Sequence, residues 1–262
     1  MYLKDILEQK REGLEERISS RPWSALLQEL PAPPTPACFS QAIIAPGLSV
    51  VAEIKRASPS KGMLAPDLQV AETAVEYELN GAAALSVLTE ERFFQGSLED
   101  LQSVKKVTML PVLRKDFLFD PYQILEARWA GADAVLLIMA ILSDGQAIEL
   151  ASCAREFGLE ILAEVHREEE IEKALEINAD LIGINNRDLE TFSVSLETTY
   201  RIYPLIPKEY PVIAESGVRS GSDLRALKKL GIDGVLIGEA LVSAERPGEA
   251  LKNLLTAVEG SG

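Results

Sequence analysis

Eight short apolar runs, separated by stretches of helical periodicity, constrain this chain more than any other feature. The runs fall at residues 49–54, 84–88, 110–113, 134–138, 160–165, 181–185, 211–215 and 234–237. Between them, segments such as DLQVAETAVEYELNG (67–81), DPYQILEARWAGA (120–132) and GSDLRALKKLG (221–231) repeat apolar residues at helical spacing. Strands alternating with helices predict a parallel sheet, and eight such units are the number that closes a barrel. An open doubly wound sheet is the competing layout. At 262 residues with 47% hydrophobic content the chain can bury a large core. Two small domains would fit this length, but single α/β barrels commonly run this long, so one domain is expected.

A weak internal repeat supports the alternation. Gly81-Ala82, Gly131-Ala132-Asp133, Asn178-Ala179-Asp180 and Gly231-Ile232-Asp233 each sit between a helical stretch and an apolar run, at intervals of 50, 47 and 53 residues. Glycine or asparagine suits the left-handed backbone that ends a helix. A spacing near fifty spans two strand–helix units, which fits either a duplicated barrel or turn chemistry common to all such proteins. Asp120-Pro121 reads as a helix start, an N-cap followed by proline at the first helical position.

Ahead of the first run, residues 2–20 predict an exposed amphipathic helix with Leu3, Ile6, Leu7, Leu14 and Ile18 on one side. The proline-rich connector ELPAPPTPACF (29–39) follows. Charge recurs every few residues in this N-terminal segment, so it does not read as a signal peptide, and no later run reaches membrane-spanning length.

A formal charge of -15 argues against a broad basic face for nucleic acid, so an anionic ligand must find a local basic pocket. Cys38 and Cys153 have no neighbouring partner for a metal knuckle or redox pair, which suits a reduced, cytoplasmic setting. His166 is the sole histidine, too few for a zinc cluster. Any proton chemistry therefore rests on lysine and carboxylate.

In a barrel the active face lies at the carboxyl ends of the strands. Those ends carry Glu53 and Lys55, then Arg114 and Lys115, Glu164, Asn185 and Arg187, Glu215 and Ser216, and lastly Gly238. The second run leads to Phe93, Phe94, Gln95 and Gly96, and the fourth ends in apolar Leu136, Leu137 and Ile138. Any one charged residue can simply cap a strand. Charges at almost every strand end would each need separate solvation, so the set points to one mouth for an anionic, partly aromatic small molecule. Ser216-Gly217 and Gly238 leave room for a phosphate to approach backbone N–H groups, although plain turn geometry uses glycine in the same way. SPSKG (58–62) is either a turn or an anion-facing edge formed by Ser58 and Lys61.

The motifs EIKRASPSKG (53–62), TEERFFQGS (89–97), LRKDFLFDPYQI (113–124), AEVH (163–166), IGINNRDL (182–189), VIAESGV (212–218) and VLIGEAL (235–241) together resemble the indole-3-glycerol phosphate synthase family of tryptophan biosynthesis. The resemblance covers nearly the whole chain. It implies a single (β/α)8 TIM barrel (48–262) with an N-terminal helical extension (1–47), working without cofactor or metal. The implied reaction closes the ring of 1-(2-carboxyphenylamino)-1-deoxyribulose 5-phosphate with loss of carbon dioxide and water. Its expected partner is thus a small sugar phosphate bearing an anthranilate ring, with no nucleic acid, membrane or obligate protein partner.

Carried over by position, the resemblance makes Lys115 the general acid, Glu164 the base of the dehydration, and Glu53 a supporting carboxylate that orients the lysines. Lys55 would hold the substrate carboxylate or join the dehydration. Asn185 and Arg187 would position the carboxylated ring, and Glu215 would hold sugar hydroxyls or partner Lys115. Ser58, Ser216 and Gly238 match phosphate-binding positions, with Gly217 and Leu236 beside them, and Phe94, Phe117 and Leu136 would flank the ring. Glu239 follows Gly238 where a small polar residue also occurs in the family. His166 is expected to serve at the surface or behind Glu164 rather than as a proton shuttle. The alternatives are another sugar-phosphate barrel, such as a phosphoribosyl isomerase, and a noncatalytic phosphate-binding barrel.

Overall fold

The computed structural model describes residues 2–31, 38–189 and 191–259. Most of the proline-rich connector, residues 32–37, lies outside the described residues. In chain order the strands are β1 (Ser49–Ile54), β2 (Ala57–Ser58), β3 (Gly62–Met63), β4 (Ala84–Leu88), β5 (Val112–Lys115), β6 (Ala134–Ile138), β7 (Glu160–Val165), β8 (Leu181–Asn185), β9 (Val212–Glu215) and β10 (Gly234–Ile237). β2 and β3 form a small antiparallel hairpin. The other eight are parallel neighbours, and β1 closes the ring by pairing with both β4 and β10. This is the predicted TIM barrel, and the open sheet is excluded.

The third strand begins at Val112 rather than residue 110, and the seventh at Val212 rather than 211. Pro111 and Pro211 precede them, and a residue without an N–H cannot donate to the ladder. The shift places Arg114 and Lys115 inside β5 rather than after it.

The internal repeat has a physical cause. Gly81, Gly131, Asn178 and Gly231 all adopt positive φ, as a left-handed helix terminus requires. Each aspartate two residues later then ties its own strand to the preceding barrel strand. Asp133 Oδ2 accepts from Val112 N (2.7 Å), Asp180 Oδ2 from Ile161 N (2.8 Å) and Asp233 Oδ2 from Val212 N (2.8 Å). The same three aspartates donate their backbone N–H to the carbonyls of Val112, Ile161 and Val212. At the first repeat, where Ala83 replaces the aspartate, only the backbone bond to Val50 remains.

The N-terminal segment is docked, which corrects the expectation of an exposed helix. Helix α1 (Tyr2–Ser20) buries Ile6 and Leu14, and α2 (Trp23–Gln28) buries Leu26. Leu14 and Leu26 pack with Tyr122 and Leu125 of the helix Pro121–Ala130, each such burial contributing about 1.5–3 kcal/mol. Arg17 Nε bonds Glu126 at 2.7 Å, and Tyr122 Oη donates to the Arg21 carbonyl at 2.7 Å. Covered on its outer side, helix Pro121–Ala130 is buried almost all round, which explains why it lacks a clean polar face. Its start is the predicted one: Asp120 and Gln123 form a capping box with Pro121 at the first position.

At the amino end of the barrel, α3 (Phe39–Ile43) acts as a plug. Phe39 and Ile43 pack on the lumen residues Val51, Leu162, Leu181 and Ile213. Glu160, the first residue of β7, accepts from Ser40 N at 2.9 Å and Ser40 Oγ at 2.6 Å. With that end filled, the barrel's cavity opens at the carboxyl ends.

Candidate active site

A cavity of about 320 Å³ opens there, large enough for a small-molecule substrate. Glu53, Lys55, Phe94, Lys115, Phe117, Leu136, Glu164, Asn185, Arg187, Glu215, Ser216, Gly217, Leu236 and Gly238 all line it. Strand alternation explains this convergence, because lumen-facing positions two residues apart end each strand with a side chain in the mouth.

The centre is built on Lys115. Its Nζ donates to Glu164 Oε2 at 2.7 Å and forms an ion pair with Glu215 Oε2 at 2.9 Å. The two carboxylates are almost entirely inaccessible, at 1% exposure each. Burial works against the ammonium charge, but Glu164, Glu215 and Glu53 more than offset this and hold Lys115 above the ordinary lysine range. Burial likewise raises both carboxylates, and here they diverge. Lys115 and His166 reverse the effect on Glu164 and hold it well below the usual carboxylate range, whereas Glu215 is pushed up to about 7. At the carboxyl end of β1, Lys55 Nζ lies 2.6 Å from Glu53 Oε1.

Two glycines make room for these acids. An added Cβ at Gly183 would stand 2.2 Å from Glu215 Oε1, and one at Gly238 would stand 2.2 Å from Glu53 Oε1. Gly238 thus serves the Glu53 carboxylate directly, a role that its expected place beside phosphate did not suggest.

One side of the cavity is apolar. Phe94 and Phe117 face each other with ring centroids 6.4 Å apart, and Leu136 and Ile138 continue the wall. Leu3 and Ile6 of α1 join it from above. Phe94 is held by a buried carboxylate: Glu90 accepts from the backbone N–H groups of Arg92, Phe93 and Phe94 at 3.1, 2.7 and 2.9 Å.

The opposite side is a backbone-rich turn. Ser216 and Gly217 both have positive φ, 63° and 87°. Asn186 fixes this turn by donating to the carbonyls of Glu215 (3.0 Å) and Ser216 (3.2 Å), while its Oδ1 accepts from Thr199. Asn185 Oδ1 accepts from Arg187 N at 3.0 Å. Arg187 reaches Ser60 Oγ (3.3 Å) and Glu239 (3.6 Å), and Lys61 approaches the same Glu239 at 3.5 Å.

Three expected members lie elsewhere. Arg114 is on the outward side of β5, 1% exposed, bonded to Thr89, Asp116 and the Gln123 carbonyl. Adjacent strand positions point oppositely, so Lys115 in the mouth requires Arg114 behind the wall. Ser58 is buried in the β2–β3 hairpin and does not line the cavity, though its neighbour Pro59 does. Phe93 packs against the same apolar cluster as Phe94 without lining the cavity. His166 shares strand parity with Glu164 and comes within 3.2 Å of it. Sequence reasoning missed Leu3, Ile6, Glu90, Asn186 and Gly183. For Leu3 and Ile6 the signal existed, in an apolar helix stripe that needed a surface to cover.

Comparison with known proteins agrees with this geometry. A family model described as indole-3-glycerol phosphate synthase matches residues 3–254. The chain is 41% identical over 255 residues to the indole-3-glycerol phosphate synthase of Alkaliphilus metalliredigens, covering 97% of this chain and 98% of that one. It is 42% identical over 259 residues to the enzyme of the same name from Desulforamulus reducens, covering 98% of each. Among solved structures, KGPDC from Streptococcus mutans superposes with a TM-score of 0.64 at 11% identity over 82% of this chain and 98% of that one, a likeness of fold alone. With a matching family model over nearly its full length and relatives above 40% identity, the chain belongs to the indole-3-glycerol phosphate synthase family.

Proposed function

We propose that this chain closes, decarboxylates and dehydrates 1-(2-carboxyphenylamino)-1-deoxyribulose 5-phosphate to indole-3-glycerol phosphate, with Lys115 as general acid. One observation carries the assignment of roles: a single ammonium lies between two buried carboxylates, donating a hydrogen bond to Glu164 at 2.7 Å and standing 2.9 Å from Glu215. Glu164, held by that hydrogen bond, is the carboxylate the proposal uses as base.

Lys115 starts protonated, the form a general acid needs. As the carboxyl-bearing ring carbon attacks the ketone carbon, Lys115 gives its proton to the ketone oxygen and so neutralises the developing alkoxide. The bond to the carboxylate then breaks, releasing carbon dioxide and returning the electron pair to the ring. In the dehydration the new hydroxyl leaves as water, and ionised Glu164 accepts the proton from the neighbouring methylene carbon. Lys55, anchored on Glu53, is placed to hold the substrate carboxylate or to protonate the leaving hydroxyl. The Phe94, Phe117 and Leu136 wall presses the aryl ring toward the ketone, the orientation on which cyclisation depends. Ser216, Gly217 and Gly238 offer backbone N–H groups to the phosphate, with Arg187 nearby.

These steps call only on groups of this chain, so the proposal includes no cofactor, nucleic acid, membrane or obligate protein partner, and it places the enzyme in the cytoplasm. The Leu3 and Ile6 contribution supports treating residues 1–47 as part of one domain with the barrel. The test is turnover of the carboxyphenylamino sugar phosphate followed by indole fluorescence. Lys115→Ala should reduce kcat by about 10²–10⁴ while leaving inorganic phosphate binding intact. Turnover within twofold of the parent would remove Lys115 as the acid.

A further inference from the structure

His166 is a buried titratable group that the proposed steps do not use. Its Nε2 stands 3.2 Å from Glu164 Oε1, the oxygen that Lys115 leaves free, and its Nδ1 stands 3.6 Å from Glu170 Oε2. Glu170 also accepts the His166 backbone N–H at 2.6 Å, which fixes that carboxylate beside the ring. The contacts to the ring are ionic rather than aligned hydrogen bonds.

Charge balance gives the ring a purpose. Lys55 and Glu53 neutralise each other, but Lys115 faces both Glu164 and Glu215 and can balance only one of them. Two buried carboxylates against one ammonium leave an excess negative charge, and Lys115 leans toward Glu164, to which it donates a hydrogen bond, while pairing with Glu215 by charge alone. A second cation touching Glu164 alone of the pair adds to that bias. His166 touches Glu164 and not Glu215. Glu170, on the ring's far side, keeps the imidazole charged.

We propose that His166 is a positioning residue that, as an imidazolium, holds Glu164 ionised as the base and leaves Glu215 as the carboxylate that takes up a proton. The proposal rests on Glu164 being the base. The charged groups acting on the ring are Glu164 from β7 and Glu170 from the following turn, with Lys115 and Glu215 beyond Glu164. Burial alone would lower the imidazole's proton affinity, and the two carboxylates more than reverse this, raising it to about 9.

Because His166 is the sole histidine, its ring can be followed without assignment. An imidazole NMR titration of the whole protein should show one histidine, protonated at pH 7.5 and titrating near 9. Glu164→Gln and Glu170→Gln should each bring that midpoint down toward 6.5. A wild-type midpoint at or below 6.5 would overturn the proposal, and this reading does not depend on turnover, so it is separable from failure of Glu164 as base. The kinetic arm uses His166→Gln. Loss of the cation should move the acidic limb of the kcat–pH profile upward by about 1–3 units. A lower kcat with an unmoved limb would mean that the ring only packs, and would equally refute the proposal. Circular dichroism and phosphate binding of the variant separate either outcome from misfolding.

Discussion

Gly183 offers the sharpest test of how the site is assembled, because it lines no part of the cavity and its loss adds only one methyl group. It lies on β8 beneath the Glu215 carboxylate, and an added Cβ would approach Oε1 to 2.2 Å. Ordinary contact starts near 3.4 Å, so the carboxylate must retreat by about 1 Å. Glu215 Cδ and Leu162 Cδ1, both at 3.3 Å, leave little slack for the methyl to move instead. Glu215 Oε2 is 2.9 Å from Lys115, and a retreat of this size away from it stretches the pair to about 3.9 Å, beyond hydrogen-bond reach. Misplacing a catalytic group by about 1 Å costs on the order of 10²-fold in rate, or roughly 2.7 kcal/mol of activation free energy. Gly183→Ala should therefore lower kcat by about 10²-fold, with a stability loss of only about 1–3 kcal/mol from overpacking. Steady-state indole fluorescence gives the first quantity and urea denaturation the second. A folded variant with kcat within threefold of the parent would refute the claim that Glu215 must sit against Lys115.

Two further outcomes follow from the same geometry. Lys10 of α1 pairs with buried Asp116 at 2.6 Å, and Lys10→Met should destabilise the fold by about 3 kcal/mol, the low end for a broken buried pair because Asp116 keeps Arg114, Thr89 and the Phe117 N–H. Asp116 is held down to about 2 in the folded state, so its contribution is complete above its unfolded value near 4 and disappears as pH falls through 2. Urea melts between pH 5 and 2 should show this loss in the parent, and a smaller one in Lys10→Met. Phe94→Ala should raise KM about tenfold through the lost aromatic wall without weakening inorganic phosphate binding, as measured by calorimetry; an unchanged KM would remove Phe94 from the ring-binding side.

The barrel was legible in the sequence because its signals are local. An apolar run of five residues, a glycine at a left-handed helix end and an Asp-Pro start each report on their own stretch of chain, and eight repetitions favour a closed barrel over the open sheet that the ring of strand pairs excludes. Most of the mouth was legible for a related reason: period-two alternation makes the last residues of a buried strand choose between lumen and wall. That rule also produced the errors. Placing the third strand two residues early put Arg114 and Lys115 together after it, whereas the proline at 111 pushes both into β5, where only one can face inward. His166 has the same parity as Glu164, and that parity alone predicts the contact that a loop position would not.

What stayed hidden depends on distances across the barrel. Gly183 reads in sequence as an ordinary small strand residue, and its purpose appears only when Glu215 arrives from β9, 32 positions later in the chain. Glu90 reads as one more acid in a charged loop, until three backbone N–H groups are found converging on it. The same holds for the proposed division of labour between Glu164 and Glu215, two buried glutamates at equivalent strand ends. In the proposal their difference comes from His166, which stands 3.2 Å from Glu164. A motif can therefore name the groups in such a site, while the assignment of acid and base among identical side chains has to be read from their neighbours.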